Sequence, residues 1–341
     1  MALIEFTEKG LYCPPADLYI DPWRPVRRAL ITHAHADHSR WGMGVYAAHR
    51  HSIPVMRHRL GSIEAVGVDY GEKLRVNGVD VSFHPAGHIP GSAQIRLKFG
   101  KEIWVISGDY KLEDDGLAEP FAPVKCTHFV TESTFGLPIY RWQPQHEVMS
   151  DLNGWWAANR DYGLCSLVLT YALGKAQRIL SSIDAGIGEV FVHGAVHQTN
   201  LALEHAGYSF PHARYLTSEI DKSRLRGALV LAPPSALGSP WVNRLKPYRT
   251  ASASGWMALR GNRRRRNADR GFVLSDHADW ESLNSAVEAT GAEHIFVTHG
   301  YSDVFSDWLR AKGLRADTVK TAFEGESAEM KPARNGENDS E

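Results

Sequence analysis

Three histidines and an aspartate fall within six positions: His33, His35, Asp37 and His38, in the stretch ITHAHADHSR. Imidazole nitrogens and carboxylate oxygens are ligands for zinc, and also for manganese or iron. The stretch follows the apolar run RALI, which reads as a strand. In a locally extended chain His33 and His35 point the same way, because side chains alternate with period two. Asp37 and His38 come after the chain turns and face a second point nearby, which suits two adjacent metal ions. Such a pair needs more than four ligands. His88 in PAGHIPGS and Asp109 in VISGDY each follow a strand, and Asp109 is the candidate carboxylate to bridge the ions. His299, ending IFVTHG, completes the second position. Asp21 in YIDP lies at another strand end and orients a ligating histidine by a hydrogen bond. The remaining histidines have no comparable spacing and are assigned to surface or core.

The elements that position these residues read as α/β. Short β-rich runs dominate up to Glu132, among them LYID, RALIT, VDVSFHPA, QIRLKF, EIWVIS and THFVTE. Asn77-Gly78 is a two-residue hairpin signal. The texture then changes. QHEVMSDLNGWWAANR spaces Val148, Leu152, Trp155 and Trp156 at helical intervals. After it, CSLVLTY, EVFVHG and ALVLAPP alternate with helices from about Leu173 and from His197, as in a parallel βα unit with its own sheet. Strand-helix alternation resumes at GFVLS and continues through EHIFVTH. We therefore expect an α/β segment, 141–256, inserted into a first domain made of 1–140 and 257–323. The polar tail, 324–341, reads as disordered. GMGVYA at Gly42–Ala47 fits GxGxxA but follows the ligand turn instead of opening a helix, so dinucleotide binding is not expected.

Composition bounds the rest. The chain has 341 residues, 43% of them hydrophobic, with no signal-peptide pattern and no apolar run long enough to span a bilayer. Cys13, Cys126 and Cys165 are far apart, without CxxC spacing, and read as reduced thiols of a cytoplasmic protein. The net charge of −1 hides an asymmetry: Arg214 to Arg270 holds 13 Lys/Arg against 3 Asp/Glu. A basic segment in an otherwise acidic chain points to a polyanionic partner.

HAHADH, then His88, then Asp109, in that order after strands, resembles the metallo-β-lactamase superfamily. The long α/β insert resembles its β-CASP nucleases. Three further marks match by position: Glu132 in VTESTFG, His277 in LSDHADW and His299 in VTHG. TYALGKAQR and ASGWM resemble the start and end of the β-CASP insert. GLYCPPADLYIDPWRP and ESTFGLPIYRW are similar to the bacterial DNA-ligase-associated exonucleases.

The resemblance implies an αβ/βα four-layer sandwich with an inserted β-CASP domain. It implies two divalent metal ions, zinc first and manganese as the alternative, and hydrolysis of phosphodiester bonds. One ion is assigned to His33, His35, His88 and Asp109, the other to Asp37, His38, Asp109 and His299. Asp37 aligns the attacking water. His277 acts as general acid or transition-state contact, held cationic by Glu132. Lys175 at a helix start, Ser252, Ser254 and Trp256 at the domain junction, and the basic run containing Arg263 and Arg264 are expected to contact the nucleic acid. The leading expectation is a DNA exonuclease acting in repair with a DNA ligase. RNA processing is the alternative, because RNA-processing members carry histidine at the position of His299. The basic insert argues against a small-molecule hydrolase of lactamase or glyoxalase type.

Overall fold

The computed structural model describes residues 2–259 and 268–323. Of its three sheets, the second draws strands from both ends of the chain. The first contains β1 (Glu5–Thr7), β2 (Gly10–Cys13), β3 (Leu18–Ile20), β4 (Arg28–Ile31), β5 (Val45–His49) and β6 (Ala65–Val68), side by side in chain order. Its strands run parallel from β3 onward. The second contains β7 (Lys73–Val76), β8 (Val79–Pro85), β9 (Ala93–Phe99), β10 (Glu102–Ile106) and β11 (His128–Ser133), joined by two late strands, His294–Gly300 and Arg315–Thr318. Strands β7 to β10 form an antiparallel meander; β10, β11 and the late strands are parallel. The Asn77-Gly78 turn closes the first hairpin with both residues at positive φ, as a type I′ turn requires.

Alternation along these strands builds the core between the two sheets. Leu11, Leu18, Ile20 and Leu30 of the first meet Val81, Phe83, Ile95 and Leu97 of the second. Helices Trp280–Thr290 and Ser302–Ala311 cover the outer face of the second sheet through Trp280, Leu283, Phe305 and Leu309. Helix α1 (Ser52–Leu60) buries Ile53, Val55 and Met56 against the first. Pro54 sits in the first turn of α1, where a missing N–H is tolerated.

The third sheet is wholly parallel. Its strands are Cys165–Leu169, Val190–Val192, Ala213–Tyr215, Leu229–Ala232, Tyr248–Ala253 and Arg270–Phe272. The continuous apolar runs CSLVL and LVLA are buried throughout, because apolar clusters lie on both faces. Helix α2 (Gln145–Asp161) buries Val148, Leu152, Trp155 and Trp156, the periodic set. Helices α3 (Lys175–Ser182) and α4 (Gly194–Glu204) start within a few residues of the positions expected. One boundary moves. Arg270–Phe272, expected in the outer segment 257–323, pairs with Tyr248–Ala253 and so extends the third sheet past residue 256. Its short length hid which sheet it would join.

The sequence motif GMGVYA leads into β5, not into a helix. The tail 324–341 lies outside the described residues. Among the described residues no helix is long and apolar enough to cross a membrane.

Trp156 is fully buried and donates from Nε1 to the Gly227 carbonyl at 2.9 Å. Trp156→Ala is expected to cost about 3–5 kcal/mol of stability, seen as a lower urea midpoint; a midpoint unchanged from wild type would contradict this packing.

Candidate metal centre

Parallel strands put their carboxyl ends on one edge of a sheet, and that edge is where this chain gathers its ligand side chains. Asp21 follows β3 and His33 follows β4. Asp109 follows β10, Glu132 lies near the end of β11, and His299 lies near the end of His294–Gly300. The edges of the two sheets are tied by Ala93 N–H donating to the Thr32 carbonyl at 2.8 Å. Gly108 (φ +58°) lets the Asp109 loop press against Thr32: a Cβ there would lie 2.6 Å from the threonine Oγ1.

Asp109 is the meeting point. Its carboxylate lies 3.5 Å from His33 Nε2, 3.8 Å from His88 Nε2, 3.6 Å from His38 Nε2, 3.1 Å from His299 Nε2 and 4.0 Å from His277 Nδ1. His33, His35, His88 and Asp109 form one potential ligand group, and His38, Asp109 and His299 a second. Asp37 approaches His38 Nε2 at 3.7 Å. All of the named site residues except Asp37 and His299 are buried. The structure thus brings together every residue named from the sequence as a ligand.

Each ligand imidazole has one nitrogen committed to a protein oxygen and the other turned to the centre. His38 Nδ1 meets Asp21 Oδ2 at 2.8 Å. Thr32 donates its hydroxyl to that same carboxylate at 2.6 Å, and His33 Nδ1 contacts the threonine Oγ1 at 3.0 Å. His299 Nδ1 contacts Thr298 Oγ1 at 3.2 Å. His88 Nδ1–H donates to the Asp276 carbonyl at 2.6 Å, and His35 Nε2–H to the Leu173 carbonyl at 3.2 Å. A carbonyl only accepts, so these last two contacts fix the tautomers. They leave His88 Nε2 and His35 Nδ1 as lone-pair nitrogens only 3.0 Å apart. Two lone pairs at that distance repel unless a positive charge lies beside them.

Further orphaned atoms point to the same need. His33 Nε2, His38 Nε2, His299 Nε2 and Asp109 Oδ1 are buried without a hydrogen-bond partner among the described residues. Burial holds the His33 and His88 imidazoles well below their usual range, and His35 down to about 4, so all three are neutral ligands at neutral pH. His38 behaves oppositely. Burial opposes its charge, but Asp109, Asp37 and Asp21 outweigh that and push it up to about 10. Burial raises the Asp109 carboxyl, yet His38 and the other imidazoles hold it well below the ordinary carboxylate range. The pocket therefore calls for positive charge, and an all-nitrogen-and-oxygen donor set fits zinc or manganese.

Asp21 has the orienting position expected of it, at a strained backbone φ of 41°. Glu132, with Asp109 and His277, makes a third potential ligand group. It accepts from Tyr110 N–H at 2.8 Å and from the Thr134 hydroxyl, and contacts His277 Nδ1 at 2.8 Å. Of the residues expected to contact a substrate, Lys175 is buried, its ammonium 3.8 Å from the Asp276 carboxylate. Ser252 is buried in the third sheet, and Ser254 accepts from Trp256 N–H at 3.3 Å. Trp256 is half-buried, its ring 4.9 Å from Phe135, which lies 6.1 Å from the His277 ring. Arg263 and Arg264 lie outside the described residues. Sequence reasoning missed Leu173 and Asp276, which act through backbone carbonyls, and Phe323, whose ring stacks on His38 at 4.3 Å. Thr32 was readable in principle, as a hydroxyl directly beside the first ligand.

No family model matches the chain. It is 33% identical over 311 residues to a protein of Opitutus terrae named probable DNA ligase, covering 90% of this chain and 30% of that one. It is 30% identical over 188 residues to Ribonuclease TTHA0252 of Thermus thermophilus, covering 47% of this chain and 43% of the relative. It is 33% identical over 120 residues to Endoribonuclease YSH1 of Yarrowia lipolytica, covering 34% and 14%. The chain thus spans less than half the length of each of these curated relatives. A crystal structure of a protein of unknown function from Enterococcus faecalis V583 shares the fold, with a TM-score of 0.56 at 12% identity, over 79% of this chain and 74% of that one.

Because both ligand groups share Asp109, Asp109→Ala is expected to empty both positions. After dialysis against zinc, elemental analysis should find about two ions per wild-type chain and fewer than one in the variant. Full zinc content in Asp109→Ala would contradict a shared carboxylate.

Proposed function

The chain belongs to the β-CASP group of the metallo-β-lactamase superfamily, and from that premise we propose that it is a metal-dependent nuclease, a DNA exonuclease acting in repair with a DNA ligase. We read the two outer sheets with their flanking helices as the four-layer αβ/βα sandwich, and the third-sheet unit as the inserted β-CASP domain. The observation that carries the reading is the single buried carboxylate, Asp109, within 4.0 Å of five imidazoles. That is the constellation phosphodiester hydrolysis requires of a paired-cation site.

His33, His35, His88 and Asp109 would hold one divalent cation; Asp37, His38, Asp109 and His299 the other. Such a pair, when bound, supplies Lewis acidity toward phosphate and acidifies water to near neutral pH. The protein's own groups do the rest. Asp37, its side chain 13% exposed, stands at the mouth and aligns the attacking water. Glu132 accepts from His277 Nδ1 and favours the cationic imidazole. His277 then gives a proton to the leaving oxygen from Nε2, and Glu132 keeps the ring in place through the transfer. Trp256, on its aromatic base, offers a stacking face near the leaving side. Lys175, Ser252 and Ser254 are buried and so stand behind the substrate-facing surface and not on it.

DNA is favoured because the relative named probable DNA ligase aligns with 90% of this chain. The RNA reading rests on His299 in the pocket and on the two relatives whose names are ribonucleases.

End-labelled single-stranded DNA and RNA of matched sequence, digested with added zinc or manganese, should separate the readings. We expect stepwise shortening of DNA, abolished by a chelator and restored by metal. Faster loss of RNA would favour processing, and cleavage unaffected by the chelator would overturn the paired-cation reading. His277→Ala is expected to lower kcat by about 10²–10⁴-fold with zinc content unchanged; full activity would remove His277 from the proton path.

A further inference from the structure

The two cation positions differ in what holds them. At the His38/Asp109/His299 position the orienting partners, Asp21 and Thr298, belong to the first and second sheets. At the His33/His35/His88/Asp109 position, two ligands are oriented across the domain junction. His35 donates to the Leu173 carbonyl, in the segment that enters α3. His88 donates to the Asp276 carbonyl, and that backbone is clamped by Arg178 of α3. Arg178, 2% exposed, donates to the Ser275 carbonyl at 2.6 Å, lies 3.4 Å from the Asp276 carboxylate and donates to Glu113 at 2.7 Å. Gly174 (φ +93°) lets α3 approach: a Cβ there would lie 2.3 Å from Ile89 Cγ2, directly beside His88.

We propose, on the paired-cation reading above, that docking of the third-sheet domain sets the affinity of the His33/His35/His88/Asp109 position alone, with Arg178 and Leu173 as positioning residues. Hydrogen-bond partners of metal-ligating histidines fix the tautomer and aim the lone pair, and losing one weakens metal binding about ten- to a hundredfold. Here one partner, the Leu173 carbonyl, comes from the third-sheet domain, and the other, the Asp276 carbonyl, is held in place by Arg178 of that domain. Cation binding and domain docking are then linked, and linkage is reciprocal. Any polyanion that wedges the junction open loosens one cation and leaves the other in place.

Cobalt titration followed by visible absorption tests this, with Co²⁺ alone as probe. Wild type should bind two ions; fewer than two would overturn the paired-cation reading itself. In a His299→Ala background, which keeps the three-histidine position, Arg178→Met should weaken Co²⁺ binding about ten- to a hundredfold, and Arg178→Lys should restore part of it. In a His35→Ala background, which keeps the other position, Arg178→Met should change nothing. Gly174→Ala, which removes no charged group, should reproduce the selectivity. Hydrogen exchange across Leu173 to Arg178 should slow when zinc is added to wild type. Two ions in wild type, with equal losses in both backgrounds or with none, would overturn the linkage and leave the paired-cation reading standing.

Discussion

The architecture turns on one electrostatic constraint: a buried carboxylate, Asp109, ringed by imidazoles, of which His33, His35 and His88 are held neutral with their lone pairs converging. Lone pairs brought together in a dry pocket repel, and only positive charge relieves them. To build such a point, ligands from four separate strand ends must reach one place. Two sheets with parallel strands ending at a common edge do this. Their apolar faces lock together through Leu30, Phe83, Ile95 and Leu97, so the edges cannot slide relative to one another. The hydrogen-bonded sequence from Asp21 through Thr32 to His33, with His38 on the same carboxylate, then fixes the rings.

The same constraint explains why so much charge is buried behind His88. Lys111 pairs with Asp115, Arg178 with Glu113 and Asp276, and Lys175 with Asp276, all where α3 meets the loop after Asp109 and the segment at Asp276. Burial, with Arg178 nearby, lowers the Lys111 ammonium from its usual range, and Asp115 and Asp276 pull it back. Buried ion pairs of this kind contribute little net stability, since desolvation offsets attraction. They do impose one arrangement: each guanidinium and carboxylate is satisfied only when α3, the loop after Asp109 and the segment at Asp276 meet in register. An apolar junction would hold as firmly but would tolerate small slips, and a slip there misdirects His88 and His35.

Much of the site was legible because ligand chemistry is carried by side-chain type and spacing. HAHADH after a strand, with His88, Asp109 and His299 at later strand ends, converges in the folded chain. So does the hairpin at Asn77-Gly78 and the apolar face of α2. What was hidden is carried by backbone or by long-range packing. The Leu173 and Asp276 carbonyls have no side-chain signature. Arg270–Phe272 is three residues long and takes its sheet from its neighbour, not from its own pattern. Lys175 at a helix start suggests a phosphate contact, but a helix start can also meet a carboxylate from a packed neighbour, and Asp276 stands there.

The pocket's formal charge bears on why two cations suit it. Asp21, Asp37 and Asp109 bring three carboxylates to the centre, where His33, His35 and His88 are held neutral. His38 is cationic until it binds metal, so one divalent ion brings the count only to zero. Two leave one positive charge, enough to draw a backbone phosphate toward the mouth where Asp37 and His299 are the least buried of the ligands. Glu132 does not alter this balance, because its carboxylate is matched by His277 when that ring is cationic.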